Sequence, residues 1–163
     1  MNELQSSDRA GEALDLDGAA IARLIPHRHP FLFIEWARIP GADAIEGAAL
    51  WPADHPILAG HFPGRAIVPG VCQIEALAQL GAVLIAHRER GAAAAAAAAT
   101  GVLASVRHAS FHCLIGPGQR LILSCQVRKV QPRAFLVSGT GRRDGRMALR
   151  AEVLIAINEG GAA

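Results

Sequence analysis

A chain of 163 residues with 52% hydrophobic and 18% charged side chains is long enough to bury one core and too apolar to be disordered. Its net charge of +2 is too small for a nucleic-acid binder, and Cys72, Cys113 and Cys125 have no CxxC spacing, so neither a zinc site nor a disulfide framework is indicated. The charge is nevertheless uneven: residues 1–100 carry 7 basic and 11 acidic side chains and residues 101–163 carry 9 basic and 3 acidic, so an acidic partner would meet the C-terminal part.

The polar leader, residues 1–14, has no basic segment running into an apolar one, which excludes a secretory signal and leads us to expect a cytoplasmic location. DLDGAAIARLI (15–25) predicts a short amphipathic helix with Asp17 as N-cap, stopped by Pro26. FLFIEWARI (31–39) and IEGAALW (45–51) are rich in aromatic and β-branched residues and flank a GAD turn, the pattern of a hairpin. Prolines 52, 56, 63 and 69 make residues 52–69 an irregular loop.

From Val71 to about Arg88 the apolar residues fall all around a helix, which predicts burial on most sides; His87, Arg88 and Arg90 suit its C-terminus and Gly91 its stop. Residues 66–86 have about the length of a membrane span, but Pro69-Gly70 breaks the start and Glu75 and Gln79 would be costly in lipid, so no span is expected. The Ala-rich stretch 91–100 has helix propensity without pattern and reads as a linker. Four strands follow, 101–111, 120–130, 134–142 and 147–157, joined by the turn sequences IGPGQ, QPR and RDGR. One domain over 1–163 accounts for the order, an α+β arrangement with an antiparallel sheet wrapped around one central apolar helix.

Glu75 is the misfit within that helix, because a buried carboxylate costs free energy unless something uses it. The stretch around it, GHFPGRAIVPGVCQIEALAQLG, resembles the signature of 3-hydroxyacyl-acyl carrier protein dehydratases of the FabZ type, and PHRHPFLFIEWA (26–37) resembles the segment that precedes it in that family. The likeness extends more weakly from Gly101 to about Ile157. It implies a hot-dog fold, a homodimer with two sites at its interface, and often a trimer of such dimers. It further implies that His61 is the catalytic histidine, that Glu75 is the catalytic carboxylate supplied by the other subunit, and that the Gly70 N–H holds the thioester carbonyl. The acyl substrate would arrive on the phosphopantetheine of acyl carrier protein, with no other cofactor and no metal.

The residue types suit that chemistry. Dehydration of a 3-hydroxyacyl thioester needs a base for the C2 proton and an acid for the hydroxyl. Neutral histidine fits the first task, and a glutamate whose burial keeps it protonated fits the second. Gln79, one turn beyond Glu75 on the same face, is expected at the substrate site, orienting the carboxylate or bonding nearby backbone. His27 and His29 are expected to shape the loop before the first strand, and Cys72 to be a packed thiol. Arg128, Lys129, Arg133, Arg142 and Arg143 are either solvated surface or a landing area for the acidic carrier protein.

The chain departs from the family pattern in places. It has no tyrosine, His29 standing where the family often has one; Leu58 replaces an aromatic residue, and Cys72-Gln73 replaces aliphatic ones. Those changes leave acyl length open, and with it the alternatives of a polyketide or aryl-polyene dehydratase and of a non-catalytic acyl-binding hot-dog subunit. The Glu at 75 disfavours the isomerising FabA group, which has Asp there, and HFPG disfavours a thioesterase.

Overall fold

The computed structural model describes residues 13–90 and 99–159. The expected leader, apart from its last two residues, and the expected linker through residue 98 lie outside the described residues. Seven strands and two α-helices run in the order β1 (Leu14–Asp17), α1 (Gly18–Leu24), β2 (Ile34–Gly41), β3 (Ala44–Ala49), α2 (Gly70–Arg90), β4 (Ala99–Phe111), β5 (Leu121–Gln131), β6 (Ala134–Arg143) and β7 (Arg146–Glu159). The strands form one antiparallel sheet in the spatial order β1-β2-β3-β5-β6-β7-β4. This is the hot-dog fold, with the sheet curled around α2.

The sequence explains how the sheet grips the helix. Along β5, Leu121, Leu123, Cys125 and Val127 are buried while the residues between them are exposed, so one face is apolar at the period of a strand. On α2, Ala76, Leu77, Leu80, Val83, Leu84 and Ile85 are all buried at 2% exposure or less, consistent with a helix enclosed on most sides. Glycines allow the close approach. A Cβ at Gly81 would lie 2.6 Å from Cγ2 of Val137, and one at Gly139 would lie 2.8 Å from Cδ1 of Leu77 and 2.6 Å from the Ser124 carbonyl oxygen. Residues Gly70–Glu89 are long and apolar enough to cross a membrane, but 67% of that stretch is buried inside the fold, where it serves as the core helix.

Two boundaries differ from expectation for a physical reason. Residues 15–17, expected in the stretch that opens the helix, belong with Leu14 to strand β1 against β2, and only from Gly18 does the chain turn helical; Asp17 caps it as expected, its Oδ1 accepting from Ala20 N–H at 2.7 Å. The first hairpin strand was expected from Phe31 and begins at Ile34. The Phe31 carbonyl and the Phe33 N–H are instead bonded to the side chain of Gln79. The RDGR turn is a two-residue hairpin loop with positive φ at both Asp144 (49°) and Gly145 (75°), the combination that matches strand twist.

Candidate active site

The loop 50–69 carries His61, and its local sequence fixes how. Phe62-Pro63-Gly64-Arg65 closes a tight turn, with Arg65 N–H donating to Phe62 O at 2.9 Å and Phe62 N–H donating to Arg65 O at 3.1 Å. Proline sets the first central φ, and Gly64 supplies the positive φ of 76° at the second. Beyond the turn, Ile67 grips the histidine twice: its N–H donates to the His61 carbonyl at 2.8 Å, and its carbonyl lies 2.9 Å from His61 Nδ1. A carbonyl can only accept, so Nδ1 carries the proton of the neutral ring and Nε2 keeps a free lone pair. The imidazole also stacks on Phe62, with ring centres 4.1 Å apart.

Helix α2 begins where this loop ends. Cys72 and Gln73 donate to the Pro69 carbonyl at 3.0 and 3.3 Å, and Gly70 is the first helical residue. A Cβ at Gly70 would come within 2.7 Å of the Phe111 ring. The fold thus sets an exposed ring of β4 against the start of α2, a proximity that the sequence does not show.

One and a half turns into α2, Glu75 is bonded on a single oxygen. Its Oε1 accepts from Gln79 Nε2 at 3.0 Å and lies 3.3 Å from His27 Nε2. Gln79 is only 1% exposed, and both ends of its amide are bonded inside the chain: Oε1 accepts from Phe33 N–H at 3.0 Å, and Nε2 donates to the Phe31 carbonyl at 2.8 Å and to Glu75. The Phe33 donor also fixes which end of the amide is oxygen. Gln79, expected at the substrate site, is bonded to both of the partners the sequence left open, the Glu75 carboxylate and the backbone of 31–33.

The sequence also missed the direction of the Glu75 titration. Burial, the largest single influence, pushes its pKa up as expected. The hydrogen bonds from His27 and Gln79 and the nearby His27 charge together outweigh it, so the carboxyl is held below the ordinary glutamate value. His27 is the residue that sequence reasoning passed over. It sits in a loop that Arg28 braces by donating to the Ile25 and His27 carbonyls at 2.9 and 2.7 Å. Only the return of that loop across α2 reveals its proximity to Glu75, and no spacing in the sequence could have shown it. His29 does shape the loop, edge-on to His55 with ring centres 6.2 Å apart. Cys72 is buried, and its thiol is pushed up by burial and then by the Glu75 charge.

Within the chain no hydrogen bond or ion pair joins His61 to Glu75. The basic residues split as well. Arg128, Lys129 and Arg133 lie at the β5–β6 turn, near the C-terminal end of α2, where Arg88 donates to the Val127 carbonyl. Arg142 and Arg143 lie at the β6–β7 turn, where Arg143 donates to the Leu114 carbonyl in the segment that pairs Ile115 with Val68, just before α2 begins. The ten residues of β6 set the two groups roughly 30 Å apart.

Among known proteins, the family described as ApeI-like, ApeI dehydratase, matches residues 40–144. The 3-hydroxyacyl-[acyl-carrier-protein] dehydratase FabZ of Thermomicrobium roseum is 39% identical over 154 residues, covering 87% of this chain and 93% of the relative. The protein of the same name from Clostridium botulinum is 34% identical over 142 residues, covering 84% and 95%. Among solved structures, the dehydratase heterocomplex ApeI:P from Xenorhabdus doucetiae superposes with a TM-score of 0.72 at 19% identity, covering 85% of this chain and 90% of that one, a likeness of fold. Fold and relatives together define a hot-dog hydro-lyase. The chain belongs to the FabZ-type 3-hydroxyacyl-acyl carrier protein dehydratases, and its central two-thirds also match the ApeI-like group.

Proposed function

We propose that the protein dehydrates 3-hydroxyacyl thioesters carried by acyl carrier protein to trans-2-enoyl thioesters, using His61 of one subunit and Glu75 of another. The observation that carries this is the contact at His61: the Ile67 carbonyl takes up Nδ1, so that in the neutral ring Nε2 keeps the lone pair of a base. Nε2 removes the C2 proton, the C2 electron pair forms the new double bond, and the C3–O bond breaks with the oxygen leaving as water after taking a proton from Glu75. His61 then returns its proton, and Glu75 regains one, through solvent. The N–H groups at the start of α2, at Gly70 and next to it, would hold the developing negative charge on the thioester oxygen.

Glu75 is ionised at neutral pH in the single chain, so it acts as the acid only once the site is closed. A covering subunit and an acyl chain would add to the desolvation that is already the largest influence on it. The missing His61–Glu75 contact within the chain supports a site completed by a second copy. So does β4, an edge strand with one unpaired side and exposed Val102, Leu103, Val106 and Phe111. Of the basic residues, Arg142 and Arg143 are at the end of the fold where α2 begins and are the ones suited to meet an acidic carrier protein. The match to ApeI dehydratase over residues 40–144 favours a second reading, in which the acyl group belongs to a polyene or polyketide pathway.

The test is turnover of enoyl thioesters of several acyl lengths, followed as loss of conjugated-alkene absorbance during hydration. His61→Ala and Glu75→Ala should each abolish it, and mixing the two variants under subunit exchange should restore part of it. Two inactive variants that never complement would refute the shared site. A pH profile that falls on the alkaline side through a group lost in Glu75→Gln supports Glu75 as the acid; one flat there would leave His61 to return the proton itself.

A further inference from the structure

Glu75 is held asymmetrically. Oε1 faces two donors, Gln79 Nε2 at 3.0 Å and His27 Nε2 at 3.3 Å, while Oε2 has no hydrogen-bond partner among the described residues. The other nitrogen of His27, Nδ1, is buried and has no hydrogen-bond partner. A proton placed there would be a buried N–H without an acceptor, whereas a proton on Nε2 points at a carboxylate. The backbone that carries the ring is braced by the Arg28 bonds to the Ile25 and His27 carbonyls and by the Phe31 N–H, which donates to the Arg28 carbonyl at 2.7 Å.

We propose that His27 is a positioning residue for this reaction: with its ring proton on Nε2 it joins Gln79 in clamping Oε1 of Glu75, so that Oε2 is the oxygen turned to the substrate's 3-hydroxyl. This rests on Glu75 being the site carboxylate. A carboxylate held by one oxygen keeps a fixed plane, and its free oxygen then has one direction in which to meet the hydroxyl. Gln79 alone cannot fix that plane, since a single bond leaves rotation about the Oε1 contact. Two donors from different elements, α2 and the loop after α1, do. Among the described residues, the titratable groups that face Glu75 are His27 itself and Cys72, one turn earlier on α2.

The experiment compares His27→Phe, which keeps a ring and loses the donor, with His27→Gln, which keeps an N–H. The Glu75 carboxyl carbon is followed by 13C NMR in glutamate-labelled protein and assigned by its absence in Glu75→Gln. In His27→Phe the titration should move up by about one to two pH units, the loss of one hydrogen bond to an ionised group, and kcat should fall roughly tenfold or more with little change in KM. His27→Gln should recover most of both. An unmoved titration in His27→Phe, or equal effects of the two variants, would overturn the clamp. Wild-type protein supplies a check independent of any variant: 15N shifts of His27 should report the proton on Nε2, and a proton on Nδ1 alone refutes the proposal. Retained turnover in Glu75→Gln would instead refute the role of Glu75 in the reaction, leaving the titration to judge the clamp separately.

Discussion

Replacing Gln79 by Leu isolates what a single buried amide does for both fold and site. The side chain is nearly isosteric, so little volume changes, but three bonds disappear: the Phe33 N–H loses its acceptor, and the Phe31 carbonyl and Glu75 Oε1 each lose a donor. Glu75 keeps His27, so two buried groups are left unsatisfied at about 1–3 kcal/mol each, roughly 2–6 kcal/mol in all and a large part of the about 5–15 kcal/mol that holds a domain folded. The pH dependence should change with it. Because Glu75 is held below the ordinary carboxylate value when folded, it contributes stability above the unfolded value of about 4.3, and that stability is lost as pH falls through the folded value. Gln79→Leu removes one of the bonds responsible, so the variant should start less stable and lose less on acidification through that window. Urea unfolding at fixed protein concentration, repeated from pH 7 to pH 3, measures both. Gln79→Glu gives the contrast: it retains an acceptor for Phe33 N–H but sets a second carboxylate beside Glu75. A loss under about 1 kcal/mol in Gln79→Leu, with an unchanged m-value, would show that the 31–33 segment does not depend on this amide.

Gly81→Ala would set a methyl 2.6 Å from Cγ2 and 3.2 Å from Cβ of Val137, atoms too near the backbone to swing aside, so it should cost about 1–3 kcal/mol in urea unfolding. Adding Val137→Ala should recover part of that loss, and strict additivity of the two changes would contradict the contact. Alkylation of the native protein at pH 8 should label half-buried Cys113 before the other thiols, by mass spectrometry of timed samples. Cys125, pushed up to about 12 by burial, should react only after unfolding, and early labelling there would contradict its burial.

The amino-acid sequence by itself determined the secondary structure wherever the periodicity was strong. The alternation from Leu121 to Val127 and the all-round apolar run from Gly70 onward have one stable arrangement each, a half-buried strand and an enclosed helix, because burial rewards only those periods. The RDGR hairpin was equally legible, since it rests on positive backbone angles that glycine supplies cheaply and aspartate tolerates. Glu75 drew attention for the same local reason, as a charge within an apolar helix.

What only the tertiary structure decided were the relations between segments. Phe31 and Phe33 read as strand residues, yet the Phe31 carbonyl and the Phe33 N–H are bonded to an amide 46 to 48 residues away. Gly70 read as the N–H donor to the thioester carbonyl, and only the fold sets the Phe111 ring of β4 beside it. Arg128 and Arg143 read as one basic region and stand at opposite ends of a strand. The expected rise in the Glu75 titration failed because burial can be judged from the residue's own helix, whereas the donors that oppose it come partly from His27, brought there by a loop. Such contacts depend on where the chain returns, and no local pattern records that.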